Sequence, residues 1–284
     1  MNAQRERMLR EMGLGPIWKL RLPMSPRPAG SGVAASDDMP VLRGGDSSGP
    51  GDEASAPPEL PMPASPMPEL PMPASPAPAG SDARTAAILR MDWPELREAV
   101  ADCRACGLCD TRRNTVFGSG NPAAPWMIIG EAPGAEEDAR GDPFVGQAGQ
   151  LLDAMLGAID MQRARDVFIA NVLKCRPPGN RNPAPEEVAR CLPHLLRQLD
   201  LVRPQLILLM GRFAAHAMLE TDASIASLRG RVHRVATLPA IVTYHPAYLL
   251  RTPQDKAKSW QDLLLARTIW KGLQSRADGP ISAS

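Results

Sequence analysis

Four short apolar runs between residues 126 and 244 constrain the fold of the chain more than any other feature. They lie at residues 126–129, 167–173, 206–210 and 241–244. Each run has the length expected of a buried strand, and segments with helical periodicity separate the runs. Strands that alternate with helices form a parallel sheet covered on both faces. The sequence therefore predicts an α/β fold, a three-layer α/β/α domain around a central, mostly parallel, four-stranded sheet.

A loop that carries several acidic residues is expected directly after the first of these strands. Residues 130–146 contain Glu131 and Glu137, are punctuated by a Pro-Gly pair and have Phe144 near their end. Ligands of open α/β sheets bind at the carboxyl ends of the strands, and glycine lets the backbone approach a ligand closely. The pattern is compatible with a catalytic pocket and, equally, with a solvated acidic turn.

Helices are predicted before, between and after the strands, at residues 93–102, 151–159, 185–199, 213–219 and 253–270. The second of these is expected to begin near Gln147. The third begins with Pro185, which is tolerated in a first turn because the N–H that proline lacks would have no helical partner there. Together these elements predict an ordered domain at residues 85–274, followed by a short disordered tail at 275–284.

The segment that precedes this domain cannot build a hydrophobic core. Residues 23–80 contain 15 of the 31 prolines and no Phe, Trp or Tyr, and the sequence PELPMPASP occurs at 58–66 and again at 68–76. Proline favours extended polyproline II, and few apolar side chains are present to offset the entropy of ordering. We therefore predict a disordered linker at residues 23–84. The amphipathic peptide at 1–22 is too short to bury its own apolar face, so a docking role is expected.

Charge and hydropathy exclude several classes of protein. The formal net charge is +1, so no global basic field marks the chain as a nucleic-acid binder, although a local basic patch is compatible with it. No apolar run has the length of a membrane span, and the first residues lack the apolar core of a secretory signal. We expect a cytoplasmic, monomeric protein without a membrane partner.

The cysteines have a spacing that suits a metal or a cluster. Cys103 and Cys106 form a C-x2-C pair, while Cys175 and Cys191 lie downstream with fifteen residues between them. Thiolates bind zinc and iron–sulfur clusters, and the wide second pair argues against a zinc site built from two tight knuckles. Cys109 extends the first pair to C-x2-C-x2-C, so spacing alone does not decide which four are ligands. The alternative is that the two downstream cysteines are simply buried.

Five motifs occur together and in order. They are FGSGNP at 117–122 with the C-x2-C before it, GEAPGAEED at 130–138, PFVGQAGQLL at 143–152, NVLKCRPPGNRNP at 171–183 and HPAYLLR at 245–251. Over residues 92–272 the chain resembles the family 4 uracil-DNA glycosylases. The resemblance implies an α/β/α fold, a [4Fe–4S] cluster held by four cysteines, and excision of uracil from DNA.

The resemblance also implies roles for individual residues in the pocket. Phe144 matches the aromatic residue that stacks on the flipped uracil, and Asn171 matches the amide that reads its polar edge. His245 matches the histidine beside uracil O2. Glu131 and Glu137 match the acids of the loop on the water side, and the sequence does not decide which of them positions the water.

The cluster ligands and the DNA contacts follow from the same resemblance. The ligands fall on Cys103, Cys106, Cys175 and Cys191, which leaves Cys109 outside the set. The expected DNA contacts lie around the third cluster cysteine and in the loop that follows the pocket histidine: Lys174, Arg176, Arg181, Tyr248, Leu249 and Arg251. Because no lysine lies in the acidic loop or beside the histidine, we expect a monofunctional enzyme that leaves an abasic site.

Three other interpretations fit parts of the sequence. A non-catalytic iron–sulfur DNA-binding module would not need the complete set of pocket residues. A nucleotide-cofactor enzyme would need a G-x-G-x-x-G that opens a helix after a strand, and the chain has none. A related glycosylase family with a broader base preference usually lacks the glutamate that stands here as Glu131.

The N-terminal peptide carries a second, shorter resemblance. Residues 9–21 resemble the N-terminal peptide of the bacterial replicase psi subunit, which docks on the collar of the clamp loader of DNA polymerase III. The match consists of a Leu, a Met-Gly-Leu turn and Trp-x-Leu-Arg, and it needs a one-residue gap. It implies that Trp18 anchors the protein to the clamp loader. The alternative is that the peptide folds back onto its own domain.

Overall fold

The structure, a computed structural model, describes residues 80–277. The expected docking peptide at 1–22, the greater part of the expected linker at 23–84 and the last residues of the chain lie outside the described part. The first helix, α1 (Gly80–Ile88), begins inside the segment expected to be linker.

A six-stranded mixed sheet forms the centre of the domain. Its strands are β1 (Ser119–Gly120), β2 (Trp126–Gly130), β3 (Val167–Asn171), β4 (Leu206–Met210), β5 (Val232–Val235) and β6 (Leu238–Thr243). They are arranged in the order β1-β3-β2-β4-β6-β5. The four predicted strands are present and mutually parallel, whereas β1 and β5 pair antiparallel at the two edges. The sheet therefore has two more strands than predicted.

The parallel strands alternate between two hydrophobic layers, as a period of two requires. In β2, Met127 and Ile129 pack in a core with residues of α2, α6 and α7, while Trp126 and Ile128 pack on the other face with residues of α4 and α10. Both faces of the central strands are fully buried. Burial on both sides explains why these strands are continuous apolar runs.

The helices in the described residues cover both faces of the sheet. After α1 they are α2 (Trp93–Ala101), α3 (Ala135–Arg140), α4 (Gln147–Ala158), α5 (Arg163–Asp166), α6 (Pro185–Val202), α7 (Arg212–Leu219), α8 (Ile225–Leu228), α9 (Pro246–Arg251) and α10 (Lys256–Ala277). Every predicted helix is present. The last one begins with a 3-10 turn, Pro253–Asp255, and continues as α10.

Two helices lie where loops were expected, α3 in the acidic stretch and α9 after the pocket histidine. The sequence of α3 does carry helix signals, because Glu136, Glu137 and Asp138 occupy its first turn and Gly141 ends it in the left-handed conformation. Acidic residues in a first turn interact favourably with the helix dipole, and glycine is the usual left-handed C-cap. The helix was missed because it is only six residues long.

The topology brings four strand ends to one edge of the sheet. After β2 the chain adds β3 on one side, and it later adds β4 on the other side of β2. This change of direction is the position where open α/β sheets bind ligands. Glu131, Asn171, Gly211 and His245 lie at or just after the carboxyl ends of β2, β3, β4 and β6. Across residues 80–277, no helix combines the length and apolar character that a membrane crossing requires.

Candidate active site

A cavity of about 790 Å³ opens at this edge of the sheet and brings the predicted pocket residues together. Its lining includes all five of them, Glu131, Glu137, Phe144, Asn171 and His245. The volume lies within the range of about 300–1,000 Å³ that is usual for small-molecule sites. The cavity is thus large enough for a nucleobase with its sugar.

Phe144 is held in the cavity wall in an unusual backbone conformation. Its φ is 53°, in the left-handed region that non-glycine residues rarely adopt. The guanidinium of Arg163 donates to the carbonyl oxygens of Pro143 and Phe144, both at 2.8 Å, and its Nε donates to Asp153 at 2.9 Å. The Phe144 ring stacks on the His245 ring, with 5.4 Å between the centroids and 29° between the planes. Arg163 therefore holds the aromatic wall from behind.

Two glycines leave the space that this arrangement needs. A Cβ at position 149 would lie 1.8 Å from the carbonyl oxygen of Phe144. A Cβ at position 130 would lie 2.4 Å from Oδ1 of Asn171 and 2.8 Å from the Phe144 ring. Any side chain at Gly130 would therefore displace both the amide and the ring.

Asn171 presents an unused hydrogen-bonding atom. Its side chain is 2% exposed, and its Oδ1 has no hydrogen-bond partner among the described residues. Buried polar atoms are nearly always paired, so an unpaired one beside a cavity indicates a position for a ligand. At the end of β3, the main-chain oxygen of Asn171 accepts from Nζ of Lys174 at 2.9 Å.

His245 is held as a neutral donor. Its Nδ1 accepts from the main-chain N–H of Ala247 at 3.2 Å, at the N-terminus of α9. A ring nitrogen that accepts carries no proton, so the neutral ring carries its proton on Nε2. Desolvation lowers the pKa of His245 to about 4, and the charge of Arg251 acts in the same direction while Glu137 opposes it. The ring is therefore neutral at pH 7 with an N–H available.

The two glutamates of the acidic stretch have different environments. The carboxylate of Glu137 accepts three main-chain N–H groups, from Gly134 at 3.1 Å, Val145 at 2.9 Å and Gly146 at 3.1 Å. No hydrogen bond reaches the Glu131 carboxylate from any described residue. Desolvation raises the pKa of Glu131 to about 7, and the charge of Arg212 opposes this rise. The Glu137 carboxylate therefore stabilises the loop, whereas the Glu131 carboxylate is available to bind a ligand or a water.

The four cysteines that the resemblance names line a single second cavity: Cys103, Cys106, Cys175 and Cys191. Hydrogen-bond donors face three of them. Arg112 donates to Cys175 Sγ at 3.0 Å, the main-chain N–H of Lys174 donates to Cys191 Sγ at 3.2 Å, and Arg84 lies 3.5 Å from Cys103 Sγ. Cys109 does not line this cavity, and its thiol contacts Asp110.

The geometry of these cysteines does not suit one metal ion. Within residues 80–277, no three His, Cys, Asp or Glu side chains stand close enough together to chelate a single ion. The cysteines of a four-iron cluster each bind a different iron, so they stand farther apart than the ligands of a mononuclear site. Four thiols around one cavity, with N–H donors directed at three of the sulfurs, fit the donor set of such a cluster.

Two of the predicted DNA contacts are wrong. Lys174 is 2% exposed, and its Nζ donates to the main-chain oxygen of Asn171 and to Gln198 Oε1 at 2.6 Å, so no phosphate can reach it. Leu249 is 1% exposed and belongs to the core between α9 and α4. The exposed leucine of α9 is its neighbour Leu250, at 40%.

The other predicted DNA contacts lie on the cavity rim or beside it. Arg181 lines the cavity and forms a two-pronged pair with Glu187, at 2.5 and 2.9 Å. Tyr248 also lines the cavity and donates to Asp255 at 2.6 Å, and Arg251 lines it with an exposed side chain. Arg176 is half-buried and donates to Asn180 at 2.8 Å.

Sequence reasoning missed two residues that shape the site and gave a third a different role. Arg163 fixes Phe144, the charge of Arg212 at the start of α7 opposes the rise in the pKa of Glu131, and Lys174, predicted as a DNA contact, anchors Asn171. Neither arginine belongs to one of the five motifs. The one available signal was the position of Arg212, directly after the third strand and therefore at the edge where ligands bind.

The fold and this arrangement define the class of protein. The family model described as "Uracil DNA glycosylase superfamily" matches residues 117–264, more than half of the chain. The chain belongs to this superfamily, which is the class that the sequence motifs indicated.

Individual relatives narrow the class to one type. A type-4 uracil-DNA glycosylase of Archaeoglobus fulgidus is 45% identical over 163 residues, which are 55% of this chain and 81% of that protein. A type-4 enzyme of Pyrobaculum aerophilum is 41% identical over 183 residues, 62% of this chain and 93% of that protein. A type-5 enzyme of the same organism is 32% identical over 153 residues, 46% of this chain and 67% of that protein. The chain is a member of the type-4 family.

Proposed function

We propose that this protein is a uracil-DNA glycosylase that hydrolyses the N-glycosidic bond of uracil in DNA and leaves an abasic site. One observation supports this most strongly. The unpaired Oδ1 of Asn171, the Phe144 ring and the neutral His245 line one cavity at the carboxyl edge of the sheet. An aromatic face, an amide and a neutral N–H donor form a receptor for a flat base with alternating polar groups.

The base must leave the duplex to reach this cavity. Flipping a nucleotide costs a few kcal/mol, and least at a mismatch or in a single strand. Stacking on an aromatic side chain such as Phe144 returns about 1–3 kcal/mol. Because the ring is already fixed by Arg163 and by His245, little ordering entropy is lost when the base arrives.

Asn171 would distinguish uracil from cytosine. Its amide can donate to O4 of uracil and accept from N3–H, and cytosine presents the opposite polarity at both positions. A site whose buried polar groups are left unpaired rejects the wrong substrate strongly. The unpaired Oδ1 is the acceptor that uracil N3–H would satisfy.

His245 would stabilise the leaving base. Breaking the glycosidic bond places negative charge on uracil and positive charge on the sugar. A donor held against O2 stabilises that anion, and one such donor is worth about 2.7–4 kcal/mol. The Nε2–H of His245 can serve without a charged ring, because Ala247 occupies Nδ1 and the pKa lies near 4.

We assign the water-side role to Glu131 rather than Glu137. Three main-chain N–H groups already occupy the carboxylate of Glu137, so that residue ties the start of α3 to the backbone directly after Phe144. Glu131 lines the same cavity, has no hydrogen bond to any described residue, and has a pKa raised to about 7. A carboxylate with a pKa near the working pH suits the positioning and deprotonation of a water.

We further propose that a [4Fe–4S] cluster is held by Cys103, Cys106, Cys175 and Cys191. When bound, it supplies iron–sulfur bonds that tie the segment before the 3-10 turn Gly107–Asp110 to the segment after β3 and to α6. This cross-link would brace the basic residues near Cys175 against DNA phosphates. Arg176, Arg181 and Arg251 are the candidates for these contacts, with Leu250 as the apolar contact in place of Leu249.

A gel assay for alkali-labile breaks tests the function. The substrates are oligonucleotides that carry uracil in a single strand, opposite guanine or opposite adenine. Each should break at the uracil position, and the break should appear only after alkali treatment. Oligonucleotides with hypoxanthine and thymine mismatches test the broader-specificity alternative. Breaks at those bases, with none at uracil, would contradict the proposal. Binding to uracil DNA without any break would favour a non-catalytic iron–sulfur DNA-binding module.

We also propose that residues 1–22 tether the enzyme to the clamp loader. The support is the sequence resemblance, because these residues lie outside the described part. The tether presupposes the cytoplasmic location expected above, and roughly 60 linker residues would let the domain reach DNA while the peptide stays docked. A peptide of residues 1–22 should bind the clamp loader by fluorescence anisotropy, and Trp18→Ala should abolish binding. Deletion of the peptide should leave excision from free oligonucleotides intact. Failure to bind, or loss of excision on deletion, would contradict the tether.

A further inference from the structure

Lys174 is a fully buried lysine without a carboxylate partner among the described residues. Its Nζ has two hydrogen-bond acceptors, the main-chain oxygen of Asn171 at 2.9 Å and Oε1 of Gln198 at 2.6 Å, and both are uncharged. Burying an ammonium is costly unless an opposite charge compensates it. The groups that can carry negative charge near it are the thiols of Cys191 and Cys175.

The same residue contacts the cysteine site through its main chain. The Lys174 N–H donates to Cys191 Sγ at 3.2 Å, and the next residue in the chain is Cys175. Lys174 therefore touches the proposed cluster site with its backbone and the base-reading residue with its side chain. It does not line the uracil cavity, which excludes it as a nucleophile.

The surrounding contacts limit how the segment can move. The main-chain N–H groups of Val172 and Leu173 donate to the oxygens of Gly130 and Glu131, both at 3.0 Å. The backbone at Val172 and Leu173 is thus fixed to the end of β2. Asn171 itself pairs with Gly130 of β2, and the Nζ–Asn171 bond adds a restraint on its carbonyl, which closes the turn from the inside.

We propose that Lys174 is a positioning residue through which the bound four-cysteine cluster holds Asn171 in its base-reading position. The main-chain N–H of Lys174 joins the residue to Cys191 Sγ, and its Nζ joins it to the carbonyl of Asn171. This proposal rests on the proposed function, because it concerns the recognition of uracil.

The test compares Lys174→Met with Lys271→Met, which makes the same chemical change at an exposed position of α10. Lys174→Met should retain iron, and a redox titration should show its cluster potential shifted to more negative values because a nearby positive charge is gone. Inhibition by free uracil and single-turnover excision should weaken about 10- to 100-fold, the usual scale for a misplaced active-site group. Affinity for abasic-site DNA should stay unchanged. Lys271→Met should match the wild type throughout.

The outcomes separate this proposal from the function on which it rests. A wild-type protein that does not release uracil contradicts the function, and the potential of Lys174→Met still tests the contact with the cluster. An active wild type with an equally active Lys174→Met overturns the proposal, as does a parallel loss of affinity for abasic-site DNA. If Lys174→Met does not fold, Gln198→Met removes the second acceptor of Nζ at similar volume. It should weaken inhibition by free uracil with iron retained, and an unchanged inhibition constant would overturn the proposal.

Discussion

Arg163 should control uracil binding although it lies behind the cavity wall. Its guanidinium makes three hydrogen bonds, to the carbonyls of Pro143 and Phe144 and to Asp153, at 2.8, 2.8 and 2.9 Å. Hydrogen bonds that involve a charged group contribute about 1.5–3 kcal/mol each. Their loss removes the main restraint on a residue whose left-handed backbone costs about 1–2 kcal/mol. Arg163→Met should therefore release Phe144 into other backbone conformations.

The expected loss in binding is bounded by the stacking that Phe144 provides. A base stacked on an aromatic ring gains about 1–3 kcal/mol, which corresponds to roughly 5- to 150-fold in affinity. Arg163→Met should therefore raise KM and the inhibition constant of free uracil within this range. The rate constant of excision at saturating DNA should change much less, because the mutation touches neither His245 nor Glu131.

The matched control is Arg165→Met, two residues away in the same short helix. Among the described residues, the Arg165 side chain pairs only with its neighbour Asp166, and it is 63% exposed. Steady-state kinetics on a uracil oligonucleotide and competition by free uracil should separate the two variants. The reasoning is refuted if they behave alike. It is also refuted if Arg163→Met lowers affinity for abasic-site DNA as strongly as it lowers affinity for uracil, because general disorder would then explain the loss.

Three further predictions address the cysteines, the pocket and its titration. The purified protein should be brown and contain four irons. Serine at any one of the four proposed cluster ligands should bleach the colour and lower the iron content, while Cys109→Ser should keep four irons; loss of iron from Cys109→Ser alone would overturn the ligand assignment. His245→Ala and Asn171→Ala should each lose most single-turnover excision, by about 2.7–4 kcal/mol for the histidine, and still bind DNA in gel-shift assays; near-normal cleavage by both would remove them from the site. In the folded state the pKa of Glu131 is about 7, above the ordinary value of 4.5, so ionisation of this carboxyl group is disfavoured. The contribution of the neutral carboxyl group to stability is therefore complete below about pH 4.5 and is lost as the pH rises through 7. At pH 8, Glu131→Gln should therefore raise the unfolding free energy by about 1–2 kcal/mol, after allowance for the partial exposure of Glu131, and the melting temperature should rise with it. At pH 4 the melting temperature should be unchanged. An equal shift at both pH values would contradict the raised pKa.

The parts of the fold that sequence reasoning predicted are those in which local pattern and tertiary burial agree. The strands β2, β3, β4 and β6 are apolar runs because helices cover both of their faces. The edge strands give no such signal. In β5 three of the four residues are at least partly exposed, and β1 is only two residues long. Their pairing depends on the neighbouring strand rather than on their own composition.

The site shows the same limit at the level of single side chains. Motifs brought together Phe144, Asn171 and His245, because strand ends in a parallel sheet meet at one edge. They did not indicate which of two adjacent leucines faces outward, since the packing of α9 on α4 decides that Leu249 is buried and Leu250 exposed. Nor did they show that Lys174 points inward, because a lysine beside two arginines in a motif is expected to be solvated.

One short backbone segment connects the uracil cavity to the cysteine site. A substitution at one of these sites can therefore affect the other. Asn171 and Cys175 are four residues apart, and the hydrogen bonds of Val172 and Leu173 fix the segment between them to the end of β2. Loss of one cysteine ligand would loosen this segment and move Asn171 without any chemistry at the cluster. A cysteine variant that loses excision therefore does not by itself show that the cluster takes part in the reaction. Lys174→Met is more informative, because it leaves all four cysteines in place and removes only the side-chain bonds of Lys174 to Asn171 and Gln198.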